Sequence, residues 1–172
     1  GIGTFSESAY QFIDFLHVAG QKLWQILPLG PTGYGDSPYQ LYSTFAGNPY
    51  FIDLDEFVTC GWLTEKECLS YDVGNSGYVE YEKIYQSRFK LLKKAYKNSG
   101  IESDKDYQAF LTKEADWLPD YALFMALKDE FHGTSWQEWD EPIKVRTKEA
   151  LKSYRLKLED EISFYCFQQY FF

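Results

Sequence analysis

Between residues 30 and 48 the chain reads GPTGYGDSPYQLYSTFAGN, in which aromatic rings alternate with short polar groups: Tyr34, Asp36, Ser37, Tyr39, Gln40 and Asn48. This mixture suits a sugar. A pyranose offers flat C–H faces that lie on Tyr rings and a rim of hydroxyls that need Asp, Ser, Asn or Gln partners. A loop that only packs its rings onto neighbouring helices accounts for the same composition, and residue types alone leave the two readings level. A stretch of this length without helix or strand pattern is uncommon in a compact domain and is usually functional. Its aromatic load, with Tyr42 and Phe45 added, argues for order.

Other chemistries find less support. The GPTGYG segment lacks the following Gly-Lys-Ser or Gly-Lys-Thr of a phosphate loop, and no helix pattern opens there. His17 and His132 stand far apart in the sequence and read as structural or surface residues, so neither a metal pair nor a nucleophile's base is indicated. Carboxylates are plentiful, yet spacing singles out no catalytic pair. Cys60, Cys68 and Cys166 are an odd number with no repeated spacing, which suggests free thiols and a reducing compartment. No metal and no cofactor is implied.

The elements around the loop are read from periodicity. Ala9, Phe12, Ile13, Phe15, Leu16 and Ala19 predict a helix capped by Ser6 and buried along one face. Residues 22–29 (KLWQILPL) form a short apolar run that predicts a strand ending near Pro28, so that the loop leaves the C-terminal end of a strand, where barrel and open-sheet folds build their sites. Helix patterns follow. Thr64 and Glu67 form a capping box, Tyr85, Phe89, Leu92 and Tyr96 make an apolar stripe stopped at Gly100, and Pro119 opens a further helix. Residues 146–172 read as one long helix whose last part, from Phe164 to Phe172, is apolar on most sides and belongs inside a larger protein.

Of 172 residues, 20% are aromatic and 45% hydrophobic, with a net charge of -9. That length is enough for one domain with a sizeable core and argues against intrinsic disorder. The acidic balance argues against nucleic acid or an anionic membrane as partner. No apolar run reaches the roughly 18 residues of a membrane span, so the reading is of a soluble protein. The ends look cut within a longer chain, and one predicted strand with a long helical remainder is an unbalanced set of parts for a complete α/β domain.

The residues AGQKLWQILPLGPTGYGDSPYQ and FAGNPYFIDLDEF resemble the opening of the 4-α-glucanotransferases, also called amylomaltases or disproportionating enzymes, of glycoside hydrolase family 77. GIGTFSESAYQFIDFL, VEYEKIYQSRFKLLKKAY, DWLPDYALFMALK, WQEWDEPI and FYCFQQYFF are similar to family segments in the same order, so the resemblance covers essentially the whole chain. LYST stands where many members have SFSA, a mild departure.

The resemblance implies an α/β fold, the N-terminal part of a (β/α)8 TIM barrel within one catalytic domain. Residues 1–30 would hold the first helix and first barrel strand, 31–50 the substrate loop, 51–145 a helical insertion and 146–172 a long helix leading toward the second strand. It implies transfer of α-1,4-glucan segments from a maltooligosaccharide donor to glucose or a maltooligosaccharide acceptor, with retention through a covalent intermediate. Retention requires two carboxyl groups about 5 to 5.5 Å apart. The segments that carry those acids in the family have no match here, so no catalytic residue is assigned. Substrate contacts are implied at Tyr39, which matches the family Tyr that stacks on sugar at the cleavage subsite, and at Asp36, Ser37 and Gln40 beside it. Tyr34 and Tyr85 match positions that form a remote groove for glucan in some members, helix packing being the competing account. Asn48 and Pro49 are expected to fix the loop. A different class of reading is a non-catalytic glucan-binding or interaction domain of the same ancestry.

Overall fold

The computed structural model describes residues 2–33, 35–70 and 77–172, and helices dominate it. Among the described residues there is no strand, only an isolated antiparallel bridge between Thr32 and Leu41. None of the described helices is long and apolar enough to cross a membrane. The chain divides into two compact units, Gly1–Ile101 with Phe171–Phe172, and Glu102–Tyr170.

In the first unit, α1 (Glu7–Val18) starts after Ser6, which has an extended backbone and makes no side-chain cap bond. α2 (Leu54–Thr59) begins at Asp53, whose side chain accepts from Asp55 N–H. α3 (Glu65–Ser70) opens with the expected capping box, Glu67 accepting from the Thr64 amide at 2.9 Å and hydroxyl at 2.8 Å, and Thr64 Oγ1 accepting from Glu67 N–H at 3.3 Å. α4 (Tyr81–Ser99) ends on Gly100, whose φ of 57° lies in the left-handed region that a helix stop favours. Its buried face differs from the expected stripe. Ile84, Arg88, Leu91, Leu92, Ala95 and Tyr96 are buried, and Tyr85 is half exposed at the edge. The core is completed by Phe57, fully buried, whose ring meets Phe171 edge-on at 4.9 Å. Burying a ring of that size stabilises by about 1.5 to 3 kcal/mol.

Two expectations fail in this unit. Residues 22–29 carry no strand, because a strand exists only through a hydrogen-bonded neighbour and no such ladder forms here among the described residues. Their apolar side chains are exposed, Leu23 at 91%. The predicted buried face of α1 is open too: no residue of that helix is buried, and Val18 is 86% exposed. Phe12 packs only locally, edge-on to Trp24 at 5.0 Å and beside Phe15 at 6.2 Å. The 3.6-residue period was real, but period does not supply the surface that covers it.

The second unit contains α5 (Lys105–Lys113), α6 (Leu118–Glu130), α7 (Glu141–Lys144), α8 (Lys148–Lys157) and most of α9 (Glu159–Phe171). Pro119 lies in the first turn of α6 as expected. The expected single helix over 146–172 is two, broken at Leu158. Arg155 and Lys157 close α8 and Glu159, Asp160 and Glu161 open α9, so each set of charges faces the helix end whose dipole it complements. That juxtaposition is a terminus signal legible in the sequence. The apolar tail, expected to lie inside a larger protein, is buried from Phe164 to Gln169 within this chain. Tyr165 donates its hydroxyl to Asp129 Oδ2 at 2.6 Å, and Tyr170 meets Tyr107 and Phe110 at 5.3 and 5.4 Å.

Candidate functional site

The loop 30–48 is held by its own backbone. Asn48 N–H donates to Leu29 O at 2.8 Å and closes its base, while Tyr42 N–H donates to Pro31 O and Gly33 N–H to Gln40 O, each at 3.1 Å. These bonds leave residues 33–40 as a tip. Inside the tip Gln40 N–H donates to Ser37 O at 3.0 Å, and Asp36 N–H to Gly33 O at 3.1 Å. Thr32 Oγ1 donates to Asp36 Oδ1 at 3.2 Å. Asp36 has φ 53°, a left-handed conformation that Asp tolerates better than most residues, directly after Gly35 at 81°. The tip is therefore a built turn.

Its exit is equally defined. Gly47 lies against the Phe172 ring so closely that a Cβ there would come within 1.9 Å of it, so only glycine fits. Asn48 is buried and accepts from Tyr50 N–H at 3.0 Å, the loop-fixing role expected of it. Arg88 of α4, also buried, donates Nε–H to Pro49 O at 3.4 Å and an Nη2–H to Ile52 O, which clamps the short 3-10 turn Pro49–Phe51 onto α4. Burial pulls its guanidinium down to about 10, against the steadying charge of Asp53.

The predicted residues are distributed as follows. Tyr39 projects from the tip and is 73% exposed, with Gln40 exposed beside it and Asp36 and Ser37 half-buried behind. Tyr85 lies on α4, its ring 4.9 Å from Phe89. Tyr34 lies outside the described residues. Sequence reasoning missed Tyr50, which joins the loop to α4. It is buried, 6.1 Å from both Tyr81 and Phe89. Burial first, then the charge of Asp36 and the phenols of Tyr85, Tyr81 and Tyr42, push its hydroxyl far above the ordinary range. Tyr50 thus lies within range of the charge of Asp36 and of the Tyr85 phenol. No spacing rule could have found it, since the contact joins residues about 35 apart in sequence.

The turn thus presents an exposed tyrosine ring beside polar side chains. The family model described as 4-alpha-glucanotransferase matches residues 1–172, and the chain belongs to that family. It is 47% identical over 173 residues to the 4-alpha-glucanotransferase of Clostridium butyricum, covering 100% of this chain and 36% of that protein. The corresponding enzyme of Thermus thermophilus is 41% identical over 177 residues, with 100% and 34% covered. Among solved structures, the amylomaltase from Streptococcus agalactiae in complex with acarbose superposes with a TM-score of 0.93 at 41% identity, covering 100% of this chain and 35% of that one. The chain thus spans about a third of the length of the relatives it matches.

Proposed function

We propose that this chain is the substrate-loop portion of a 4-α-glucanotransferase that moves α-1,4-glucan segments between maltooligosaccharides by retaining double displacement. The observation that carries the reading is Tyr39, an exposed ring on a hydrogen-bonded turn flanked by Asp36, Ser37 and Gln40, in a chain of this family. Tyr39 offers a stacking face to the sugar at the cleavage point, and its three neighbours supply hydroxyl partners. Tyr85, with Tyr34, serves a more remote stretch of the glucan. The acarbose complex of the Streptococcus agalactiae relative supports an oligosaccharide ligand. The two carboxylates that such a mechanism requires lie in the remainder of the protein. So does the rest of a (β/α)8 barrel in which residues 22–29 become a strand. Their exposed Leu23, Trp24, Ile26 and Leu27 support that reading, since apolar side chains of this number seek cover. A cytoplasmic location fits an enzyme of soluble glucans.

The test is disproportionation of maltotriose, followed as released glucose. Full-length protein releases glucose and residues 1–172 alone release none. Tyr39→Ala in the full-length protein lowers kcat/KM by at least about tenfold, a loss of about 1.4 kcal/mol of transition-state stabilisation, while Tyr85→Ala changes it less than about threefold. Tyr39 is too exposed for its truncation to move stability by more than about 0.5 kcal/mol, so an activity loss is read directly as lost substrate contact. Equal and negligible effects of the two substitutions overturn the assignment.

A further inference from the structure

The loop 30–48 is covered at both ends and open at its tip: Gly30, Pro31 and residues 46–48 are buried, whereas Gly35, Tyr39 and Gln40 are exposed. A tip in solvent has little packing of its own to fix it, so its place is inherited from its base. Backbone rungs connect the two. Asn48 N–H donates to Leu29 O, Tyr42 N–H to Pro31 O and Gly33 N–H to Gln40 O, at 2.8, 3.1 and 3.1 Å, with the Thr32–Leu41 bridge between the last two. A shift at residues 46–48 is therefore carried along both limbs toward Tyr39.

The two glycines of the base are closed by different parts of the chain. At Gly30 a Cβ would meet Leu41 Cδ1 at 2.8 Å and the carbonyls of Ser43 and Ala46 at 3.0 and 3.3 Å, all within the loop. At Gly47 the three nearest atoms are Cδ1, Cγ and Cε1 of Phe172, at 1.9, 2.1 and 2.2 Å. The φ of Gly47 lies outside the left-handed region, so the demand for glycine comes from the ring and not from the backbone. Phe172 directly follows α9 and belongs with Gly47 to the first unit. Phe5 backs it, ring edge-on at 5.4 Å, and Phe5 N–H donates to Phe51 O at 2.9 Å just past the loop. Phe172 itself is 37% exposed, so truncating it leaves a gap at the surface rather than a closed cavity in the core.

We infer that Phe172 is a positioning residue for Tyr39: its ring, seated on the bare backbone of Gly47, sets the base of the loop and, through the rungs, where the tip stands. Chemistry at a bound sugar is sensitive to such placement, since a shift of about 1 Å can cost on the order of a hundredfold in rate. Arg88 acts at a different point, on the turn that follows the loop. The effect on turnover rests on the reading of Tyr39 as a sugar contact; the effect on the loop does not.

The experiment compares Phe172→Ala, Gly47→Ala and the double variant in the full-length protein. Each single substitution releases the contact, one by removing the ring and the other by expelling it into solvent, so their effects do not add. The expected result is amide exchange at Tyr42 and Gly33 faster by at least about tenfold in each single variant and no faster in the double. In maltotriose disproportionation each single variant loses about three- to tenfold in kcat/KM with KM raised, and the double loses no more than Phe172→Ala. A smaller folded fraction would instead lower kcat at constant KM. Phe172→Leu, which keeps an apolar group on Gly47, restores both readouts to within about threefold of the parent. Unchanged exchange at those amides, losses that add in the double, or a fall in kcat/KM on Tyr39→Ala that neither single variant shares each overturn the inference. No fall even in Tyr39→Ala counts instead against Tyr39 as a sugar contact, and exchange alone then decides whether Phe172 holds the loop.

Discussion

Replacing Arg88 by Met tests whether the loop 30–48 is held from α4. The guanidinium is buried and serves the carbonyls of Pro49 and Ile52, on either side of the turn that ends the loop. A hydrogen bond from a charged donor is worth about 1.5 to 3 kcal/mol, and a buried acceptor left unmet costs about 1 to 3 kcal/mol. Pro49 O keeps a second donor, Ile52 N–H at 3.3 Å, so the loss falls mainly on Ile52 O. Against this, Met recovers the desolvation that draws the guanidinium down to about 10. The balance is a destabilisation of about 2 to 4 kcal/mol for Arg88→Met, and about half that for Arg88→Lys, whose single point charge cannot span both carbonyls. Urea unfolding followed by tryptophan fluorescence measures it, with the slope unchanged if only the native state is affected. Hydrogen exchange gives a local reading: the amides of Asn48 and Phe5, which close the loop base on Leu29 and Phe51, exchange faster in Arg88→Met. A variant within about 0.5 kcal/mol of the parent, with unchanged exchange at those amides, refutes the clamp and shows that desolvation cancels the bonds.

Other consequences follow from the same structure. Glu67 is held down to about 2 by its bonds to Lys94 and then Thr64, so its contribution is whole above about pH 4.5 and is lost as pH falls through that value toward about 2. Glu67→Gln therefore flattens the acid limb of a stability–pH profile over that window, and an unaltered limb counts against the pairing. Burial pushes the Cys166 thiol up to about 11, whereas Cys60 is exposed. An aromatic disulfide reagent labels Cys60 readily and Cys166 only on unfolding; equal rates would contradict that burial.

The parts of the site that were legible in the sequence are those whose causes are local. The Thr64–Glu67 box acts within a few residues and appears as read, and Asn48 holds the end of the loop through a bond only two residues away. The α8–α9 break was equally local, a basic close beside an acidic start, and the apolar periodicity across it masked the signal. What could not be read was anything depending on a partner far along the chain. Arg88 stands among Lys83, Lys90, Lys93 and Lys94, and Tyr50 in the short run YFIDL, and neither neighbourhood marks the residue as buried. Their burial arises only when the Pro49–Phe51 turn lies on α4.

By itself, the sequence determined the family, the loop and its aromatic and polar chemistry, because these rest on residue identity and short-range hydrogen bonding. Tertiary structure alone decided which rings are exposed and which are core. Tyr39 is open and Tyr50 closed although both are tyrosines only 11 residues apart, and the rings of α9 are covered while those of α1 are bare. Burial belongs to a pair of surfaces, and a periodic stripe specifies only one of them.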